Sequence, residues 1–272
     1  MVSLDDRELY RWLVRIDDDP GSGAPLRELK LRRGLSADDD SLERRMLLLG
    51  VEQAVPKIAD LPVHPQVKKS LESEIRGLST ATGPLTVGSQ SFTRAAKLAT
   101  LRRFPAGPME WEMSGVPRSW LLRVRGSDLV RLPIFLATRL RGFRPCFFMH
   151  VAPRPRSLAL AIEQEVMRSY YRMARSLALQ PGRLGIVAMA WFYDPKAVAD
   201  NPHLEPLSRP FLNSGGAIFL LGEAGPESGV LDGSEKRRWL YEQGRLHYRY
   251  GLAIWPRAAA LGWADAHPEY DS

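Results

Sequence analysis

Residues 184–193, Leu-Gly-Ile-Val-Ala-Met-Ala-Trp-Phe-Tyr, carry no charge and lie between Pro181-Gly182 and Asp194-Pro195. A run this apolar and this short, bracketed by turn chemistry, reads as a strand covered on both faces. It therefore demands a sheet with layers packed on either side, and predicts a central place in that sheet. It is also too short for a membrane span, and no other apolar stretch approaches the roughly 18 residues that a span needs.

The flanking sequence supplies the layers. Helix-like residues 132–140 precede an apolar strand over Cys146 to Val151. Ser157 is then expected to cap a long helix whose Leu158, Ile162, Val166, Tyr170, Met173 and Leu177 form one stripe, ended by Pro181-Gly182. Beyond Asp194-Pro195 comes a proline-broken helical segment. Gly215-Gly216 leads into a strand at 217–221, Ser234 opens a helix ending at Gly244, and 252–255 makes a further strand. Helix and strand alternate with short connections, which predicts an α/β fold, or a mixed α+β one, with helices packed on the sheet.

Earlier in the chain the pattern is helical. Leu9, Trp12 and Leu13 share a face before Pro20-Gly21-Ser22-Gly23 breaks the run. Leu42, Met46 and Leu49 follow Asp40, and Val67, Leu71, Ile75 and Leu78 follow Pro65. Ser91 is a candidate cap for a helix through Ala95, Leu98 and Leu101, and 109–113 alternates like a strand. A boundary is expected near Gly115, giving a mostly helical region at 1–115 and an α/β region at 116–272 that carries the site.

In an open α/β sheet, ligands gather beyond the carboxyl ends of the strands. That rule selects His150, Tyr193-Asp194 and Gly222-Glu223. If the strands ending at His150 and Asp194 are parallel neighbours, imidazole and carboxylate face one crevice as a general-base pair. The competing reading makes Asp194 a helix cap ahead of Pro195, and His150 a bonded core residue. Arg154 and Arg156, with the first amides of a helix starting at Ser157, form a candidate phosphate receptor.

The order strand, basic turn, helix, strand over residues 147–194 resembles the GNAT superfamily of acyltransferases. The resemblance implies acyl-CoA as donor, bound by Arg154, Arg156 and Ser157. It also implies a tyrosine or histidine near splayed strands as general acid or base, which points to Tyr193 or His150. The chain departs from the family where the basic turn normally carries glycines, since Pro153 and Pro155 stand there and each removes an amide donor.

The net charge of +7 comes from 38 basic against 31 acidic residues, scattered rather than massed. Such a surface suits a phosphorylated ligand, or simply an arginine-rich proteome. The alternative function is a non-catalytic module that holds nucleic acid or an acidic partner through residues 236–249. Periodicity there places Trp239 and Leu240 against the core and leaves the charges solvated. A hydrolase built on His150 and Asp194 lacks a nucleophile, because Ser169 falls mid-helix. Five dispersed histidines and one cysteine, Cys146 in an apolar run, suggest no metal site and no internal disulfide. The acidic first residues do not read as a signal peptide, so a cytoplasmic setting is expected.

Overall fold

The computed structural model describes residues 5–17, 20–36, 39–80, 83, 85–152 and 162–271. The chain divides into two compact units, Met1–Pro105 and Ala106–Ser272. Gly115, where the sequence pattern changes, lies just past the first strand of the second unit, so that strand belongs to the sheet and not to the helices before it.

The first unit carries α1 (Asp6–Arg15), α2 (Ala24–Arg32), α3 (Ser41–Ala54), α4 (Pro65–Leu78) and α5 (Gln90–Ala99), and ends in a short strand, β1 (Arg103–Pro105). Three of these helices start at a side-chain cap. Asp5 accepts from the Arg7 amide at α1, and His64 accepts from Gln66 ahead of Pro65 at α4. At α5 the cap is Ser89, which accepts from Phe92, and not Ser91. Leu9, Leu13, Leu26, Met46, Phe92 and Ala96 belong to one buried cluster. Gly50 permits close packing there, since a Cβ on it would fall 2.7 Å from both Ala99 Cβ and Leu13 Cδ2.

The second unit is built on a mixed sheet. Its strands are β2 (Met109–Ser114), β3 (Cys146–Val151), β4 (Gly185–Ala190), β5 (Ala217–Glu223) and β6 (Arg249–Pro256), in the spatial order β2-β3-β4-β6-β5. β3 and β4 are parallel, as the intervening helix requires, while β2 with β3, β4 with β6 and β5 with β6 are antiparallel. The apolar run at 184–193 does form the central strand, but it stops at Ala190 and closes with a 3-10 turn at Trp191–Tyr193.

The helices are α6 (Asp128–Phe135), α7 (Glu163–Ala178), α8 (Pro195–Asp200), α9 (Arg209–Asn213), α10 (Glu235–Glu242) and α11 (Arg257–Ala266). One sheet face packs on α6 and the π-helical turn Leu136–Leu140 that continues it, through Leu132, Leu136, Cys146, Val187, Leu252 and Ile254. Asp128 ties α6 to the sheet by accepting from the Leu220 amide at 2.8 Å. On the opposite face Tyr170 of α7 meets Trp255 of β6 at 5.8 Å between ring centroids, and Trp255 meets Trp263 of α11 at 5.4 Å. Of the expected α7 stripe Val166, Tyr170, Met173 and Leu177 are buried, whereas Ile162 sits ahead of the helix and is 55% exposed, and Leu158 lies outside the described residues. Among the described residues no helix is long and apolar enough to cross a membrane.

Candidate active site at the carboxyl ends of the central strands

β3 and β4 separate before they end. Their parallel pairing runs from Phe147 with Ile186 to Met149 with Ala188. Past that point β3 stays paired to β2 as far as Val151, and β4 to β6 as far as Ala190. Among the described residues the two strands no longer pair with each other, so a backbone edge of each borders the opening. Such edges hold amides and carbonyls that want partners.

His150 stands at this opening. It shares a sheet face with Phe148, whose ring centroid lies 5.0 Å from the imidazole, and Phe148 in turn meets Trp120 at 5.9 Å. Directly opposite His150 on β2 is Glu110, and two positions further along is Glu112, opposite Phe148. Residues opposite one another on antiparallel strands share a face, so both carboxylates lie on the histidine's side. Glu112 Oε1 is 3.2 Å from His150 Nε2, and the side chains keep 15% and 25% of their exposure, respectively. Nε2 itself is buried, so the accessible part of the ring lies elsewhere on it. Nε2 makes no hydrogen bond among the described residues, so Glu112 stands beside it at ion-pair distance without one.

The pairing of His150 with Asp194, expected from the strand order, is not formed. Asp194 Oδ1 accepts from the Lys196 amide at 3.0 Å and Oδ2 from the Arg249 amide at 2.7 Å. Only 3% exposed, Asp194 is the cap of α8 and also holds the start of β6. The carboxylate beside His150 comes instead from β2. Sequence reasoning passed over Glu112 because the alternation of Met-Glu-Trp-Glu-Met assigns faces without saying which strand lies opposite.

Tyr193 is 1% exposed, and burial pushes its phenol well up from the ordinary tyrosine range. It packs on Phe192 at 4.8 Å and on Phe211 at 5.9 Å. Its place is therefore the core. Tyr170 donates to Leu207 O at 2.7 Å, and its hydroxyl too is pushed well up, by burial first and by Tyr193 beside it second. Its chain neighbour Tyr171 is also buried, under the Arg175 guanidinium at 4.9 Å. Ser169 packs fully buried, with Oγ donating to Glu165 O at 3.0 Å. Burial likewise pushes the Cys146 thiol up to about 12, which suits a core residue and not a nucleophile.

Arg154, Arg156 and Ser157 lie outside the described residues. α7 is described from Glu163, with Ile162 at its cap position. Its first turn carries Glu163 and Glu165, which complement the helix dipole themselves and repel a phosphate.

The basic segment at 236–249 also differs from its sequence reading. No residue of α10 is buried, and Trp239 is 51% exposed beneath the Arg245 guanidinium. Arg237 is committed inward, donating to Val230 O and Asp232 O and lying 4.9 Å over the Trp191 ring. Gly222-Glu223 ends β5 at the sheet's edge, two strands from β4. Among the described residues no cluster of histidine, cysteine and carboxylate groups suits a metal ion.

No family model matches the chain, and no curated protein matches it in sequence. Among solved structures, it is similar to an acyltransferase crystallised with decanoyl-CoA and teicoplanin. That match has a TM-score of 0.50 at 13% identity and covers 92% of this chain and 77% of the other. A second acyltransferase structure, with decanoyl-CoA, gives 0.40 at 11% identity over 94% and 89%. An acyltransferase mutant with octanoyl-CoA gives 0.36 at 13% over 92% and 88%. The first likeness shows that the fold is one found in acyltransferases.

Proposed function

We propose that this chain transfers an acyl group from acyl-CoA to an amine or hydroxyl in the manner of the GNAT superfamily, with His150 as general base and Glu112 as the residue that positions it. One observation carries the reading: a half-buried imidazole with a carboxylate 3.2 Å away stands where the central parallel strands part. The acyltransferase fold of the first structural neighbour supports it. A cytoplasmic setting belongs to the same proposal.

The opening fits an acyl thioester substrate of this kind. An extended chain bearing amides can pair with the free edges of β3 and β4 as an added strand does. Phe148 and Trp120 give the histidine's side an apolar wall. Acyl-CoA brings the activated carbonyl. His150 takes the proton that the attacking nitrogen or oxygen gives up as its bond to the acyl carbon forms; the carbon–sulfur bond breaks, and the leaving thiolate takes that proton back from the imidazolium. Glu112 stabilises the imidazolium that results and keeps the ring turned with its base nitrogen outward. Arg154 and Arg156 complete the proposal as phosphate ligands.

The test is release of free thiol from a panel of acyl-CoA donors with small amine and alcohol acceptors, run alongside thermal-shift binding. His150→Gln is expected to lower kcat by about 100-fold or more, a typical contribution of a positioned base, while the acyl-CoA-induced shift is kept. Glu112→Gln should lower the rate less than His150→Gln does, with the acyl-CoA-induced shift kept. Full turnover by His150→Gln, or no stabilisation by any acyl-CoA, refutes the assignment. Salt-sensitive stabilisation by polyanions alone would favour the binding-module alternative, for which the exposed Trp239 and Tyr241 on α10 speak.

A further inference from the structure

We infer a second ligand site, for a small multivalent phosphate, at the end of the sheet opposite His150. It does not rest on the acyl-transfer reading. A cleft of about 540 Å³ is lined by Arg139, Arg141, Arg183 and Arg257 together with Ala258 and Ala259, and no carboxylate is among its lining residues. Leu184 and Pro256, also in its wall, mark the amino end of β4 and the carboxyl end of β6, where Gly185 pairs with Pro256. The opening beside His150 lies at the other end of the same strands.

The four guanidinium groups arrive from separate elements. Arg139 lies in the π-helical turn, Arg141 just after it, Arg183 between α7 and β4, and Arg257 at the start of α11. Two are anchored in the wall. Arg257 donates from Nη1 to Leu177 O at 2.5 Å and to Gln180 O at 2.9 Å, and Arg183 Nε donates to Gln180 Oε1 at 3.3 Å. Neutral acceptors leave their charge uncompensated. Arg139 and Arg141 make no side-chain hydrogen bond or ion pair among the described residues, so their donors are available to a guest.

Like charges gathered in one concavity repel, and a bound anion relieves that repulsion. The start of α11 adds to the pull: Pro256 at its cap offers no side-chain acceptor, and its first turn holds no acid. Guanidinium forks match phosphate oxygens better than they match a spherical ion. The cleft has the size of a small-molecule site, not of a groove for a polymer. Its apolar residues, Leu140, Leu184 and Pro181, would carry the non-phosphate part of a nucleoside diphosphate.

Calorimetric titration of the full chain with inorganic pyrophosphate and with ADP, at low and moderate salt, tests this. One saturable site is expected, weakened about 100-fold in Arg139→Gln/Arg141→Gly if each arginine's charged contact is worth roughly tenfold. Arg245→Gln, which removes a charge from the surface beside α10, should leave it intact. Neither side chain of the double variant bonds to the fold, and glycine suits the positive φ of 63° at Arg141, so the variant should melt no lower than the parent. Equal binding by parent and double variant, or an equal loss in Arg245→Gln, would overturn the site. Sulfate binding as tightly as pyrophosphate would mean an adventitious ion only and would overturn it as well.

Discussion

Replacing Asp194 by alanine separates a cap from a catalytic carboxylate. Two amides lose their acceptor, that of Lys196 at 3.0 Å and that of Arg249 at 2.7 Å, at a position only 3% exposed. Loss of a helix cap costs about 1 kcal/mol. Orphaning a further buried donor adds about 1–3 kcal/mol. The expected destabilisation is therefore about 2–4 kcal/mol. Asp194→Asn keeps one carbonyl acceptor and should lose roughly half of that. Urea denaturation followed by tryptophan fluorescence measures both, with the slope of the transition checked for constancy. Turnover per folded molecule should stay within a few-fold of the parent, because neither oxygen reaches His150. A folded Asp194→Ala with stability intact and turnover abolished would refute the reasoning, and would return Asp194 to the base pair read from the strand order.

Three further outcomes follow from buried groups. Lys30 Nζ lies 2.7 Å from Glu43 Oε1 with the two side chains 7% and 0% exposed, so Lys30→Met should cost about 3–5 kcal/mol by stranding the carboxylate, and adding Glu43→Leu should recover most of it; a double-mutant cycle of denaturation midpoints decides. The Cys146 thiol, held protonated by burial, stabilises the fold fully below its ordinary 9.0, and that contribution fades as pH rises toward about 12. Stability should therefore fall by about 1.4 kcal/mol per pH unit in that window, and Cys146→Ala should flatten the slope measured between pH 8.5 and 10. A Cβ on Gly251 would sit 2.5 Å from Tyr193 Cβ and 2.8 Å from its carbonyl carbon, so Gly251→Ala should lose about 1–3 kcal/mol by overpacking, read as a lowered Tm.

What the sequence made legible was what local chemistry decides. The apolar run at 184–193, the alternating 109–113 and the stripe from Val166 to Leu177 each became the expected element, because the period of burial is written in consecutive side chains. Ends were less secure. Ser89 caps α5 where Ser91 also had the chemistry, and Trp191–Tyr193 turns out of the strand although its residues are as apolar as those before it. The larger differences concern partners far apart in sequence. Glu112 reaches His150 through the antiparallel register of β2 on β3, which no local pattern encodes. Trp239 shows the same gap from the other side: helical period identifies an apolar face, but nothing in it requires another element to cover that face, and on α10 none buries it.

The strand pairing also explains why two unlike chemistries can occupy opposite ends of one sheet. β3 is held to β2 through six paired positions and β4 to β6 through six, whereas β3 and β4 meet through only three. Each strand therefore stays rigid through its outer neighbour while the parallel seam parts, so an opening costs little beyond the backbone bonds a guest can restore. At the amino end the seam is closed, with Leu184 donating to Pro145 O at 2.9 Å and Arg257 donating to Leu184 O at 2.8 Å. Among the described residues these two bonds pair the backbone at that end. Charge is what that end offers, since Arg183 and Arg257 are fixed beside the closed seam with only neutral acceptors. The open end thus suits an extended amide-bearing chain and a proton acceptor, and the closed end suits a compact anion.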